Sequence, residues 1–166
     1  MSHAGKPGGV PHGLYTAEER ARRDSTIWTP IQGVLAPVQF VFFLASLVLV
    51  IRYMTTGEGY GIATWSIVAK TVVLYVIMVT GAIWEKVVFG QYLLAPAFFW
   101  EDVFSFLVIG LHTAYLWALF SGALAPHPLM WLALAAYGAY VINAAQFVLK
   151  LRAARLQAAG MPEVTA

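Results

Sequence analysis

The sequence predicts an all-α fold: an integral membrane four-helix bundle with a short N-terminal surface helix. Three observations carry that reading. Hydrophobic residues make up 60% of the 166-residue chain and charged residues only 11%, against about 45–50% apolar in soluble domains. Four apolar runs reach the ~20 residues that a bilayer demands. The links between them are short, which makes successive helices antiparallel neighbours.

The elements follow in order. Residues 1–14 are rich in glycine and proline and are expected to be a disordered tail. Thr16-Ala-Glu-Glu19 matches a helix capping box, so a short polar helix should lie on the surface before the first span. No apolar signal region precedes it. The spans are placed near 29–53, 62–84, 98–120 and 128–150. Thr29-Pro30 should open the first, since proline is tolerated in a first turn, and Pro37 should kink it. The links hold Gly57, Gly59 and Gly61, then Gly90 and Pro96, then the run SGALAPH. One membrane domain thus covers 15–156, and 157–166 form a C-terminal tail.

Basic residues orient the bundle. Lys6, Arg20, Arg22, Arg23, Lys86, Lys150, Arg152 and Arg155 fall on one side, Arg52 alone on the other, and Lys70 inside a span. An excess of Lys and Arg marks the cytoplasmic side, so both termini are expected there, in a multi-pass protein. The formal charge of +2 gives no reason to expect a nucleic-acid partner. The absence of cysteine excludes disulfides, iron–sulfur clusters and thiol nucleophiles. No metal-binding motif is present, so no metal site of the protein's own is expected.

Charged and polar residues inside the spans are costly and therefore informative. Glu101, Ser105, Val108, His112 and Tyr115 share one stripe at helical spacing; Asp102 lies about 100° round from it. Anions at a helix N-terminus offset its dipole, which is the plainer reading of Glu101 and Asp102. Glu85 lies at the opposite pole, the C-terminal end of its helix, where Lys86 could neutralise it. Antiparallel packing brings Glu85 level with residues 98–102, so a pairing of Glu85 with Glu101 is expected. Two carboxylates at one depth can hold one proton between them. Lys70 and His112 fall at one depth in neighbouring spans and are expected to meet. His112 could equally hydrogen-bond a carbonyl or ligate the metal of a macrocycle.

Trp84, Phe89, Tyr92, Phe98, Phe99 and Trp100 surround the acids, either as an interfacial belt or as a slot for a flat ligand. Asn143 and Gln146 point to the same half, as interhelical glue or as ligand contacts.

The run GAIWEKVVFGQYLLAPAFFWEDVFSFLVIGLHTAYLWALFSGAL, residues 81–124, closely resembles the vinyl-bacteriochlorophyllide hydratase family of phototrophic bacteria. YTAEERARRDSTIWTPIQGVLAPVQF and AYVINAAQFVLKLRAARL resemble its two ends, so the similarity spans roughly residues 15–156. The resemblance implies a hydro-lyase that adds water to the C3-vinyl group of a chlorophyllide-type tetrapyrrole, giving the 3-(1-hydroxyethyl) product in bacteriochlorophyll biosynthesis. It implies a cytoplasmic or intracytoplasmic membrane, and a reaction without a cofactor, since magnesium belongs to the pigment. Membrane lipid, other enzymes of the same biosynthesis and a second copy of the chain are the candidate partners. The residue inventory suits that chemistry, with Glu85, Glu101 and Asp102 as acid and base candidates. Lys86, Trp84, Phe99, Trp100, His112, Asn143 and Gln146 are candidate substrate contacts. A non-enzymatic pigment-binding or assembly subunit is the alternative, with His112 ligating magnesium and the acids capping helices.

Overall fold

Thr16 opens the first helix in the computed structural model, which describes residues 13–159. Its hydroxyl accepts from Glu19 N–H, and the Glu19 carboxylate accepts in return from Thr16 N–H, the expected capping box. This short helix, α1 (Ala17–Ser25), is followed by α2 (Trp28–Thr56), α3 (Tyr60–Phe89), α4 (Phe99–Ser121) and α5 (Pro126–Ala159). The last four are long and apolar enough to cross a membrane. Their outward faces carry exposed Val34, Phe40, Trp65, Val79, Leu107 and Trp117, as lipid contact requires. The described residues form a membrane helical bundle.

The spans run longer than expected and the first link is correspondingly tight. Gly57 and Gly59 both sit at positive φ (73° and 83°), so they end α2 and begin α3 within three residues, a conformation costly for side chains with a Cβ. α2 starts before Thr29, whose hydroxyl instead donates to Arg23 O and accepts from Trp84 Nε1. α5 continues past the expected end of its span through Lys150, Arg152 and Arg155 to Ala159. The expected tails at 1–12 and 160–166 lie outside the described residues.

α2 packs most extensively on α3, and α4 on α5. The α3–α4 seam is thinner, and polar side chains bridge it. α1 lies across the end of α3, where the Arg22 guanidinium donates to Val88 O (2.8 Å) and satisfies one of the carbonyls that a helix end leaves unpaired. The main core lies among α2–α5, around Phe43, Val50, Ile67, Tyr115, Met130 and Tyr137. A smaller cluster of Tyr15, Val88 and Phe98, flanked by Trp84, Phe89 and Phe147, closes the end bearing α1.

Candidate functional site

At that same end three carboxyl groups are buried: Glu85 on the last turns of α3, and Glu101 and Asp102 on the first turn of α4. The structure corrects their expected pairing. Glu85 and Asp102 are brought together under the consecutive amides of Leu94 and Ala95, whereas Glu101 accepts from the Lys150 ammonium at 2.6 Å. The reason is the segment between α3 and α4. Asp102 does sit off the Glu101 stripe, but residues 91–98 fold over it. Leu94 N–H donates to Asp102 Oδ2 (2.7 Å) and Ala95 N–H to Glu85 Oε2 (3.3 Å). Leu94 takes φ +60°, unusual for a residue with a side chain, and that turn aims its amide inward. The Glu85–Asp102 contact joins two groups that offer only acceptors when ionised. A hydrogen bond between them requires that one of the two be a carboxylic acid.

Lys86 does not neutralise Glu85. It is exposed, donates to Gly90 O (2.7 Å) and lies over the Tyr92 ring, so it caps the C-terminus of α3. The expected aromatic slot is divided. Trp84, Phe89 and Phe98 meet one another with centroids 5.7–5.9 Å apart, and Tyr15 stacks on Phe89. Phe99 and Trp100 turn outward, 42% and 65% exposed, edge to face with each other, as does Tyr92. A cleft of about 460 Å³ opens beside this end, between Leu14, Thr16, Phe89, Pro96, Ala97 and Lys150.

Further along the Glu101 stripe, Ser105 donates to Glu101 O and accepts from Asn143 Nδ2 (2.8 Å), so Asn143 does join α5 to α4. All five residues of the stripe are buried. His112 and Lys70 meet as expected, with Nζ 2.6 Å from Nε2. A carbonyl can only accept, so the 2.7 Å contact of His112 Nδ1 with Val108 O places a hydrogen on Nδ1 and leaves Nε2 as acceptor for Lys70. Both ring nitrogens are thus engaged, and the side chain is 0% exposed. Magnesium ligation by His112 would require Lys70 to leave. Lys70 lies over the rings of Tyr140 (4.2 Å) and Tyr137 (5.0 Å), and no carboxylate among the described residues pairs with it.

Sequence reasoning missed the Leu94 and Ala95 amides, Lys150 as the partner of Glu101, Tyr15 as an aromatic plug and Gln39, which is buried on α2. Gly90 and Pro96 signalled an irregular segment but not its path. Helical register could have found Lys150, which was read only for its charge.

Comparisons with known proteins agree with one another. A sequence model of the 2-vinyl bacteriochlorophyllide hydratase family matches residues 15–153. The chain is 70% identical to the 2-vinyl bacteriochlorophyllide hydratase of Rhodobacter capsulatus, over 88% of this chain and 85% of that protein. It is also 70% identical to the 2-vinyl bacteriochlorophyllide hydratase of Cereibacter sphaeroides, over 89% and 92% respectively. No solved structure matches.

Proposed function

The chain belongs to the 2-vinyl bacteriochlorophyllide hydratase family, and from that premise we propose that its Glu85–Asp102 pair is the proton donor and acceptor of the reaction. The protein is a multi-pass membrane enzyme, a hydro-lyase of bacteriochlorophyll biosynthesis that adds water to a vinyl group of a tetrapyrrole pigment. Hydration needs a proton at the terminal vinyl carbon and water at the inner one, with no redox change. The observation that carries the reading is the pair itself, two buried carboxyl groups held side by side by the consecutive N–H donors of Leu94 and Ala95. The protonated member gives its proton to the vinyl carbon. The anion left behind stabilises the cation that the ring delocalises, and the amides of Leu94 and Ala95 hold both groups in place.

Glu101 neutralises Lys150 in this reading and does not transfer the proton. The exposed Phe99 and Trp100 offer a flat apolar face toward the bilayer, next to the thin α3–α4 seam, by which a planar pigment would arrive. Trp84 walls that region from within. Lys86, which makes no ion pair among the described residues, is a cation at this end for the pigment's anionic propionate edge. The enzyme uses no cofactor of its own; magnesium enters and leaves with the substrate.

Membranes carrying the protein, given a 3-vinyl pigment and no added cofactor, should yield a product heavier by one water. Asp102→Asn should abolish this, and Glu101→Gln should retain most of it when each is normalised to folded protein and to pigment bound. An active Asp102→Asn enzyme would overturn the assignment. The charge asymmetry supports cytoplasmic termini for a protein of the phototroph's inner or intracytoplasmic membrane. Gly5→Cys and Gly160→Cys should then resist an impermeant thiol reagent outside intact cells.

A further inference from the structure

Three amide side chains lie within the bundle just beyond the carboxyl layer, and each has an oxygen to which no described protein group donates. Gln39 is 2% exposed, and neither its Oε1 nor its Nε2 has a partner. Asn143 is 8% exposed and its Oδ1 is likewise unpaired, as is Oε1 of Gln146. Turning the Asn143 amide over would not help. The Ser105 hydroxyl spends its hydrogen on Glu101 O, so it must accept from an Asn143 N–H.

Helical register brings the three together. Ser46 meets Tyr137, and Phe43 lies against Tyr140, so one turn further back on α2 Gln39 comes level with Asn143 on α5. Gln146 lies three residues beyond Asn143, on the same face. Ser105, which holds Asn143, is three residues past Asp102, or about 4.5 Å along α4. A single unpaired buried polar group costs about 1–3 kcal/mol, and three in one layer mark a site for an occupant rich in donors.

We propose that this amide layer binds and aims the water that hydrates the vinyl group, a role that rests on the carboxyl pair being the proton donor. A water held between amide oxygens donates both hydrogens to them and presents its lone pair elsewhere. The carboxylic acid protonates the terminal vinyl carbon, whose π electrons become the new C–H bond and leave a cation at the inner carbon. The water's lone pair forms the C–O bond there. The proton then shed by that oxygen returns to the carboxylate, which restores the pair. The amides exchange no proton.

Gln39→Leu keeps the side chain's bulk and breaks no protein hydrogen bond. Replacing an unpaired buried amide by an apolar group is neutral or stabilising, so the melting temperature should hold or rise. Formation of hydroxyethyl pigment should nevertheless fall by about 10²-fold, the scale of a misplaced reactant. In heavy water the acid step continues, so recovered vinyl pigment should carry deuterium on its terminal carbon. Gln146→Met, another change that breaks no described hydrogen bond, should lose hydration and keep exchange in the same way. Wild-type hydration in both variants, or loss of exchange in step with hydration, would overturn the water site. Persistent exchange in Asp102→Asn would instead overturn the proton donor, so the two failures are distinguishable.

Discussion

Lys70–His112 and Glu85–Asp102 are both buried ionisable pairs bridging α3 and α4, separated by about 22 Å along α3, yet they are built in opposite ways. The first lies wholly between regular helices. Lys70 and His112 are each 0% exposed, every contact comes from a helix, and both imidazole nitrogens are used. The second sits where helices end. Its donors are backbone amides of an irregular segment, a cleft opens at the same end of the bundle, and the next layer carries acceptors without donors. A closed pair leaves nothing for a substrate to engage, so Lys70–His112 reads as a clamp across a thin seam. The carboxyl layer has titratable groups and unpaired acceptors to offer, which proton-transfer chemistry requires.

The largest expected effect tests that contrast directly. Glu85→Gln with Asp102→Asn removes the proposed general acid and should lower hydration by ~10²–10⁴-fold. Because the two groups act as a unit, each single substitution should cost nearly as much as the double. Lys70→Met with His112→Leu should leave hydration per folded molecule within a few-fold. A dead clamp double would move the chemistry to the middle of the bundle.

Stability should show the reverse. His112→Ala leaves the Lys70 amine without its acceptor inside the bundle, and stranding a buried polar group in this way costs up to about 3 kcal/mol. Adding Lys70→Met should recover most of that loss, because replacing both partners by apolar groups is often neutral. Unfolding of the single and double variants in detergent checks it; equal instability of the two would mean that the stranded amine is not the cost. Lys150→Met is the smaller counterpart at the other end. It strands Glu101, but the Lys150 side chain is 27% exposed, so solvent screens the loss to about 2 kcal/mol.

Much of this contrast was legible in the sequence, and the remainder has a physical reason. Span existence follows from apolar length, and the capping box from four residues. The Lys70–His112 meeting needs only antiparallel packing and a 1.5 Å rise, because both residues lie in regular helix. The carboxyl partners failed at the same step. Helical phase placed Asp102 off the buried stripe correctly, but its burial comes from residues 91–98, whose path no periodicity encodes. The aromatic slot failed likewise, since six aromatics near one depth do not reveal which face Tyr15 covers and which the bilayer covers.

The smallest expected effect concerns Leu94, where the irregular segment stores strain that the clamp lacks. At φ +60° a residue with a Cβ pays roughly 1–2 kcal/mol, and here the turn delivers the N–H that Asp102 accepts. Leu94→Ala removes the side chain and keeps the strain; Leu94→Gly removes the same side chain and relieves it. Glycine also loses more chain entropy on folding, which takes back about 0.5–1 kcal/mol. The glycine variant should therefore be more stable than the alanine one by up to about 1 kcal/mol. Both should hydrate within a few-fold of wild type, because both keep the amide. Leu94→Pro lacks the N–H and cannot adopt positive φ, so it should lose hydration along with the turn. If alanine proves as stable as glycine, the turn is unstrained and the carboxyl layer resembles the clamp more closely than its backbone suggests. If the glycine variant is the more stable but hydrates poorly, the Leu94 side chain itself matters to the pigment, and the amide alone does not account for the site.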